Sequence, residues 1–397
     1  MAWYNYDDII AVKHTGKNIK VIGVGGGGSM TANYIYKKIN SSENKLPKDG
    51  IEFIVINSDS QALMNSPILK RIQIAEDGQG AGSDPKKGRE YAEKCSKRIE
   101  EHVRNSYLLF ITAGMGGGTG TGAAPVVARI AKQANPEALI IGVVTTPFTS
   151  PNQRSSEVAE AGIDELKKEV NALLIVSNDS INVMIGKDKN AIYNSSMRIT
   201  DQVLYNAISG ILGIITEPGE QNADFRDVYN LLKKAGTDVI IGVGGAEGPD
   251  MYRLALEDAL SSPLLCGRKI NGAKGIIVNF KTSAASSRLD GVNYVRNTLC
   301  GMADPNAIYK DCTTEDETQN GRITITVIAA DFVDERGDLV TYINRVAAAH
   351  GLKPLMKKEA YSAEDEKNEQ TSADMSAEEE IHVPDFSVPT FKRNKRN

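Results

Sequence analysis

Short apolar runs alternate with helical stretches along the first half of the chain. Five runs are almost continuously apolar, which predicts β-strands that are buried on both faces. Alanine-rich or amphipathic segments, at residues 30–39, 83–103 and 123–134 among others, separate the runs and predict helices. The pattern therefore predicts an α/β domain with a parallel sheet covered by helices. The predicted strands are residues 18–25, 51–57, 107–111, 138–148 and 172–178.

A long helix and a second α/β region follow. Residues 195–219 carry apolar side chains at helical spacing, and Pro218-Gly219 ends the predicted helix. Apolar runs beyond it predict three further strands, at residues 238–245, 274–280 and 322–332, with helices at 250–260 and 291–302 between them. From about Lys357 to Glu380 the chain is polar and acidic, which predicts disorder.

Composition narrows the class of protein. The chain has 397 residues, of which 41% are hydrophobic and 24% charged, as expected for a globular protein of two domains. The net charge of −5 argues against nucleic acid as a partner. No apolar run has the length of a membrane span, and the first residues do not have the pattern of a signal peptide, so we predict a cytoplasmic protein. Scattered cysteines and histidines predict neither a disulfide framework nor a zinc site.

The first candidate site is a glycine-rich turn between a predicted strand and a predicted helix. Residues 23–28, GVGGGG, satisfy the pattern GxGxxG, and Asp59 follows the next strand. This combination is the fingerprint of dinucleotide binding and leaves an NAD-dependent oxidoreductase open as a remote alternative. The other alternative is a tight turn without a ligand.

A second glycine-rich turn, residues 114–122 (GMGGGTGTG), lies in the same position after another strand. Bare backbone N–H groups at the start of a helix bind phosphate, and Thr119 and Thr121 add hydroxyl groups. A P-loop lysine is absent from both turns. Two phosphate-binding turns on neighbouring strands predict a nucleotide with a long phosphate chain.

Two further segments have two possible roles each. The glycines of residues 78–88 predict either a loop that contacts phosphate or a flexible connection. In the segment NADFRDV, Asp224 and Asp227 are three residues apart, which places both carboxylates on one face of a helix. Aspartate is also common at the start of a helix, so the pair has a purely structural alternative.

Eight segments in this order resemble the tubulin/FtsZ family, and the similarity covers roughly residues 18–335. The resemblance implies a tubulin-like fold in which a long central helix joins a nucleotide-binding domain to a second α/β domain, with a disordered C-terminal tail. It also implies GTP or GDP as the nucleotide, with Mg²⁺. The segments are KVIGVGGGG, INSDSQAL, GAGSDP, ITAGMGGGTGTGAAPVVA, SNDS, NADFRDV, SSPLL and GAKGIIVN.

The resemblance also implies how the family works. Subunits stack head to tail into filaments, and each GTP lies between two neighbours. The loop with Asn222, Asp224 and Asp227 would act on the nucleotide of the next subunit, where a carboxylate can orient water. Filaments of this kind form the bacterial division ring on the inner face of the membrane. The implied nucleotide contacts are Gly25, Gly26, Gly27, Gly28, Ala81, Gly82, Gly116, Gly117, Gly118, Thr119, Gly120, Arg154, Ser155, Asn178, Met197 and Asp201.

The chain departs from the family pattern around the sugar and the base. A glutamate and an arginine of the family are Pro151 and Ser155 here, although Arg154 is adjacent. An asparagine after the first glycine turn is Met30, and a phenylalanine and an asparagine that contact the base are Met197 and Asp201. We expect GTP binding and slow, polymerisation-dependent hydrolysis. A filament-forming or regulatory paralogue with poor hydrolysis is the alternative.

The end of the chain resembles the family's terminal docking peptide. Its apolar and basic residues are expected to bind membrane-anchor and division-regulator proteins, so contact with the membrane is indirect; a solubilising tail is the alternative. These residues are Val388, Pro389, Phe391, Lys392 and Arg393. The predicted organisation is a GTP-binding domain, the central helix, a second α/β domain, an acidic linker and the terminal peptide, at residues 15–194, 195–219, 220–345, 357–382 and 383–397.

Overall fold

The computed structural model describes most of the first 332 residues. The described ranges are 19–41, 50–148, 154–179, 193–216, 225–235, 239–265, 269–316 and 319–332. The chain divides into one compact unit, Met1–Met356, and a C-terminal segment, Lys357–Asn397. The predicted acidic linker and terminal peptide lie outside the described residues.

The first sheet has six parallel strands in the order β3-β2-β1-β4-β5-β6. This confirms the parallel sheet that the five apolar runs predict. Strand β3 has no apolar run of its own, because it is a four-residue edge strand in which Ile72 alone is buried. The strands are β1 (Ile19–Val24), β2 (Ile51–Asn57), β3 (Lys70–Gln73), β4 (Leu108–Gly114), β5 (Leu139–Thr146) and β6 (Ala172–Ser177).

Helices cover both faces of this sheet. Successive residues of β1 point into different apolar clusters, Val21 into one and Ile22 into the other. The single helix expected at 83–103 is two helices that meet at Cys95. The helices are α1 (Gly25–Ile39), α2 (Ser60–Met64), α3 (Pro85–Lys94), α4 (Ser96–Val103), α5 (Thr119–Ala134) and α6 (Arg154–Lys167).

The second sheet is mixed, with the order β7-β10-β8-β9. Strand β9 runs parallel to β8, and the other neighbours are antiparallel. The sequence did not predict β9, because only Cys312 and Thr314 of its eight residues are buried. The remaining α-helices and strands are α7 (Tyr193–Thr216), α8 (Phe225–Ala235), β7 (Val239–Glu247), α9 (Met251–Leu260), β8 (Ala273–Thr282), α10 (Leu289–Met302), β9 (Ile308–Glu315) and β10 (Arg322–Phe332).

Helix α7 links the two sheets through a shared core. One apolar cluster contains Val21 of the first sheet, Leu204 and Ile208 of α7, and Ile241 and Ile328 of the second sheet. The central helix is therefore a packed element rather than a solvent-exposed connector. None of the helices in the described ranges is long and apolar enough to cross a membrane.

Candidate functional site

The two glycine loops, residues 23–28 and 114–122, lie side by side at the carboxyl edge of the first sheet. Strands β1 and β4 are paired in parallel with Val24 opposite Ala113, so the helices that follow them begin next to each other. A Cβ atom on Gly25 would lie 2.6 Å from the backbone nitrogen of Gly120. The loops are thus in backbone contact, which side chains larger than hydrogen would prevent.

The glycines of this edge are of two kinds. Those of the first kind are packed against backbone: a Cβ on Gly28 would lie 2.1 Å from the carbonyl oxygen of Thr112, and one on Gly120 would lie 2.4 Å from that of Gly114. Gly26 and Gly117 are of the second kind, since both are exposed and have no atom within 4 Å of a Cβ. The first kind builds the loops, and the second leaves backbone open to a ligand.

The helices that follow the glycine loops differ from neighbouring helices in how their N-termini are capped. Helices α1 and α5 begin without a side-chain cap and without an acidic residue in the first turn. Helices α2 and α3 begin nearby with aspartate caps: Asp59 accepts from the backbone of Gln61 and Ala62, and Asp84 accepts from that of Lys86. The uncapped pair presents backbone N–H groups and the positive ends of two helix dipoles, an arrangement that binds anions.

Asp59 therefore has a structural role that the dinucleotide alternative did not anticipate. That alternative needs the carboxylate for a ribose hydroxyl. Here one carboxylate oxygen of Asp59 is bonded at 2.8 Å to the nitrogen of Gln61 and at 3.3 Å to that of Ala62. The capping role gives Asp59 a structural explanation that does not require a ribose.

Hydroxyl and amide groups line the same edge. The hydroxyl oxygens of Thr119 and Ser58 are 2.6 Å apart, and Ser58 is a contact that the sequence did not predict. Thr121, which was expected to donate to phosphate, is buried and accepts from the nitrogen of Gly116 at 2.9 Å, so it shapes the loop. Asn57 and Ser29 are buried, and the Asn57 amide nitrogen and the Ser29 hydroxyl find no partner within the described ranges. Unpartnered polar atoms near the loops fit a polar ligand.

The third glycine-rich loop, residues 78–88, adjoins the second. A Cβ on Gly118 would lie 2.7 Å from the nitrogen of Asp84 and 3.0 Å from the Cβ of Ala81. Gly82 has a positive φ of 58° and open space at its Cβ position. The structure thus brings Ala81 and Gly82 next to the second loop rather than leaving them on a remote connection.

The residues expected around the sugar lie beside the second loop. Arg154 and Ser155 begin α6 and are both exposed. The carbonyl oxygen of Ser155 is 2.9 Å from the position of a Cβ on Gly116, so the start of α6 approaches the loop through its backbone. Pro151 lies outside the described residues.

The residues expected around the base directly follow β6 or belong to α7. Asn178 is buried and accepts a hydrogen bond from Thr200 at 3.4 Å. Asp201 accepts from Thr31 of α1 at 2.8 Å. Burial raises the pKa of the Asp201 carboxyl, and the Thr31 hydrogen bond opposes that shift. Met197 belongs to α7, but its side chain is outside the described set.

Asp227 lies at the opposite edge of the first sheet, and Asn222 and Asp224 fall outside the described residues. Asp227 is in the first turn of α8. The ring of Phe225 in this helix packs edge-on against Tyr107 at 5.0 Å, and the Tyr229 hydroxyl donates to Glu137 at 3.3 Å.

Tyr107 and Glu137 precede β4 and β5, so they mark the amino edge of the sheet, whereas the glycine loops follow its carboxyl edge. Strand β4 has seven residues, which separates the two edges by about 20 Å. Asp227 therefore does not share a site with the glycine loops of its own chain. Within the described ranges, no group of three or more His, Cys, Asp or Glu side chains could hold a metal ion.

Comparisons with known families match both α/β regions. Residues 18–186 match the model described as "Tubulin/FtsZ family, GTPase domain", and residues 237–333 match "FtsZ family, C-terminal domain". The chain is 35% identical over 392 residues to "Cell division protein FtsZ" of Neisseria meningitidis serogroup A, covering 96% of this chain and 95% of the relative. It is 39% identical over 316 residues to the protein of that name from Neisseria gonorrhoeae, covering 78% and 77%.

Solved structures agree with the family models. "FtsZ dimer, empty (M. jannaschii)" superposes with a TM-score of 0.69 at 31% identity and covers 80% of this chain and 89% of that one. A more distant structure, "CetZ2 from Haloferax volcanii" as a protofilament with bound GTPγS, has a TM-score of 0.66 at 18% identity, covers 84% and 98%, and shows the shared fold alone.

Proposed function

This chain belongs to the FtsZ branch of the tubulin/FtsZ family, and from that premise we propose that it is a GTPase that polymerises head to tail into the filaments of the bacterial division ring. Its tubulin-like GTPase domain and the cell-division role of its relatives establish the general class. The finer proposal concerns the site: the glycine loops bind the nucleotide of one subunit, and Asp227 of a neighbour completes hydrolysis.

The observation that carries this proposal is the separation of the two halves of the site. The glycine loops lie at the carboxyl edge of the first sheet, and Asp227 lies at its amino edge, about 20 Å away. A single subunit therefore cannot bring them together. Stacking two subunits end to end would place the amino edge of one on the carboxyl edge of the next. Such a contact is heterologous and propagates into an open filament.

At the glycine loops, the polar groups fit a polyphosphate. The uncapped starts of α1 and α5 would receive the phosphate oxygens at Gly25–Gly28 and Gly116–Gly120, where Gly26 and Gly117 leave open space. Ala81 and Gly82 would approach from the third loop. The Thr119 hydroxyl, held by Ser58, would donate to a phosphate oxygen. Bound Mg²⁺ would neutralise phosphate charge, and magnesium is commonly held by phosphates and water rather than by a protein cage.

At the neighbour's edge, Asp227 would act together with Asn222 and Asp224 of the preceding loop. An ionised carboxylate accepts a hydrogen bond from water and can orient it for in-line attack on the γ-phosphate. Because these residues belong to the next subunit, hydrolysis would occur only inside the filament. Cleavage would then limit the lifetime of each contact.

The base and sugar contacts support a second candidate, a paralogue that binds GTP but hydrolyses it poorly. Asn178, Met197 and Asp201 would surround the base, and an ionised Asp201 can accept hydrogen bonds but cannot donate one. An unmet polar group costs about 1–3 kcal/mol, which corresponds to roughly 10- to 100-fold in affinity. Near the start of α6, Pro151 and Ser155 stand in place of the family's glutamate and arginine, and Arg154 is adjacent.

We further propose that the filament lies on the inner face of the cell membrane. Attachment would be indirect, through proteins that bind the terminal peptide. An apolar segment followed by basic residues fits a groove with an acidic rim. The peptide residues proposed to bind are Val388, Pro389, Phe391, Lys392 and Arg393.

The test is an Asp227→Asn variant, with Asp290→Asn as the matched control. Asp290 is also in the first turn of a helix, is exposed and pairs with Arg288. We expect Asp227→Asn to bind GTP and to pellet as polymer with GTP, while GTP turnover falls about 100-fold. Asp290→Asn should keep wild-type turnover. Unchanged turnover in Asp227→Asn would refute the proposed mechanism, and GTP-dependent pelleting without turnover in the wild type would favour the paralogue.

A further inference from the structure

Asp227 is held by a side chain that no sequence motif indicated. Lys310 of β9 forms an ion pair and hydrogen bond with the Asp227 carboxylate across a separation of 83 residues. The Lys310 side chain is 39% exposed and that of Asp227 is 30% exposed. The pair thus lies at the surface of the edge that is proposed to meet the next subunit.

The direction of Lys310 follows from the alternation of β9. Cys312, two residues on, points into the core cluster that contains Val228 and Leu232 of α8, so Lys310 faces the same side. Asp311 lies between them and faces the other side of the sheet, where Arg296 of α10 donates a hydrogen bond to its carboxylate and forms an ion pair with it. The strand therefore places Lys310 and Asp311 on opposite sides and directs the lysine towards α8.

The ion pair is a weak source of stability. Exposed or half-exposed pairs contribute little to the free energy of unfolding, because water screens them and two long side chains lose freedom. Its main physical consequences are local. It selects one orientation of the Asp227 carboxylate and limits its rotation, so that its oxygens keep a fixed direction in which they can accept a hydrogen bond from water.

We propose that Lys310 is a positioning residue for hydrolysis: it fixes the carboxylate of Asp227 that acts on the nucleotide of the neighbouring subunit. This inference rests on the proposed function and goes beyond it, because it assigns a role to a strand outside the glycine loops and the aspartate-bearing segment. Lys310 acts through Asp227. Its loss should therefore lower kcat and leave the binding of GTP and the assembly of filaments nearly unchanged.

The experiment compares Lys310→Met and Lys310→Arg with Lys274→Met. Lys274 is a matched control because it lies in the same sheet and pairs with Asp331 at similar exposure, 45% and 27%. We expect Lys310→Met to lower turnover per polymerised subunit about tenfold, with KM for GTP and the assembly threshold within about twofold of wild type. Lys310→Arg should recover turnover to within about threefold. Wild-type turnover in Lys310→Met, or a loss that Lys310→Arg does not reverse, would overturn the inference.

A double variant distinguishes positioning from a general structural effect. If Lys310 acts only through Asp227, Lys310→Met should cause no further loss in an Asp227→Asn background. A further tenfold loss in that background would overturn the inference, because it would require a path that does not include Asp227.

Urea unfolding of the same variants tests the pair without GTP. Coupling between the two substitutions should change the equilibrium constant of unfolding by roughly two- to fivefold. Zero coupling would overturn the inference even if turnover falls in Lys310→Met, because the two side chains would then not interact. Measurable coupling between the two substitutions, together with no GTP hydrolysis by the wild type, would instead refute the proposed function on which the inference rests.

Discussion

Four of the helices that follow the carboxyl edge of the first sheet begin in two different ways. Helices α2 and α3 are closed by Asp59 and Asp84, whereas α1 and α5 have no side-chain cap. The difference is chemical: the protein supplies its own carboxylates where no ligand is needed and leaves the positive helix ends open where the glycine loops meet. Capping therefore distinguishes structural helix starts from those proposed to bind phosphate.

The amino edge of the same sheet extends the comparison. There the ammonium of Lys20 donates to the carbonyl oxygens of His102 and Arg104, so a lysine satisfies the negative end of α4. Glu52 lies 3.6 Å from this ammonium and also pairs with Lys70. The charged side chains described here at this edge have partners within the subunit: Lys20 pairs with backbone carbonyls and with Glu52, and Asp227 pairs with Lys310.

The largest expected effect comes from filling a packed glycine. Gly28→Ala would place a Cβ 2.1 Å from the carbonyl oxygen of Thr112, and backbone on both sides resists movement. We expect the free energy of unfolding to fall by about 3 kcal/mol or more. Gly26→Ala is the matched control, because its Cβ meets no atom within 4 Å. Gly26→Ala should keep the stability of the wild type but weaken GTP binding; equal stability loss in both variants would contradict the division into two kinds of glycine.

The next effect depends on pH and concerns the contribution of Lys20, at the amino edge of the first sheet, to the free energy of unfolding. Burial, with a smaller contribution from Lys70, lowers the pKa of Lys20 to about 8. Between about pH 8 and 10.5 the unfolded chain binds this proton more tightly than the folded chain, so the contribution of Lys20 to stability rises with pH. Relative to Lys20→Met, the wild type should gain about 2–3 kcal/mol across this window in urea unfolding. A constant difference between the two proteins would show that the pKa is not lowered.

A smaller effect, on nucleotide affinity, is expected at Asp201, which is proposed to contact the base. Asp201→Ala removes the acceptor of the Thr31 hydrogen bond and the proposed contact with the base. We expect the affinities for GTP and GDP to fall by the same factor, about tenfold, because the phosphate contacts are elsewhere. Equilibrium titration with both nucleotides measures this. A loss confined to GTP would place Asp201 near the γ-phosphate and contradict the assignment.

The smallest effect tests the capped helices. Asp59→Ala should lower the free energy of unfolding by about 1 kcal/mol through loss of the α2 cap, without a change in GTP affinity. Thermal unfolding and nucleotide titration of the same sample give both values. A clear loss of affinity would mean that this aspartate contributes to the nucleotide site.

Much of the fold could be predicted from the sequence, because burial on two faces leaves a continuous apolar run. The run at 51–57 coincides with β2, and the run at 322–332 coincides with β10. Strands β3 and β9 could not be predicted in this way. Both are edge strands with few buried residues, so neither has an apolar pattern. The mixed order of the second sheet depends on β9 and was therefore also missed.

The two halves of the candidate site also differ in how far the sequence reveals them. Glycine loops after two neighbouring strands are visible in sequence, because close backbone approach requires the residue itself. The contacts of Ser58 with Thr119 and of Lys310 with Asp227 join residues that are 61 and 83 positions apart. No local pattern specifies such pairs, since they arise only when the sheet order and the strand register are fixed.

The most direct test of the account is GTP turnover measured against protein concentration, with sedimentation of polymer in the same samples. Because each glycine site needs Asp227 of a neighbour, we expect almost no turnover below a threshold concentration, and above it turnover that rises with the amount of pelleted protein. Turnover that is proportional to total protein from the lowest concentrations, without polymer, would contradict it, since one subunit would then contain the complete site.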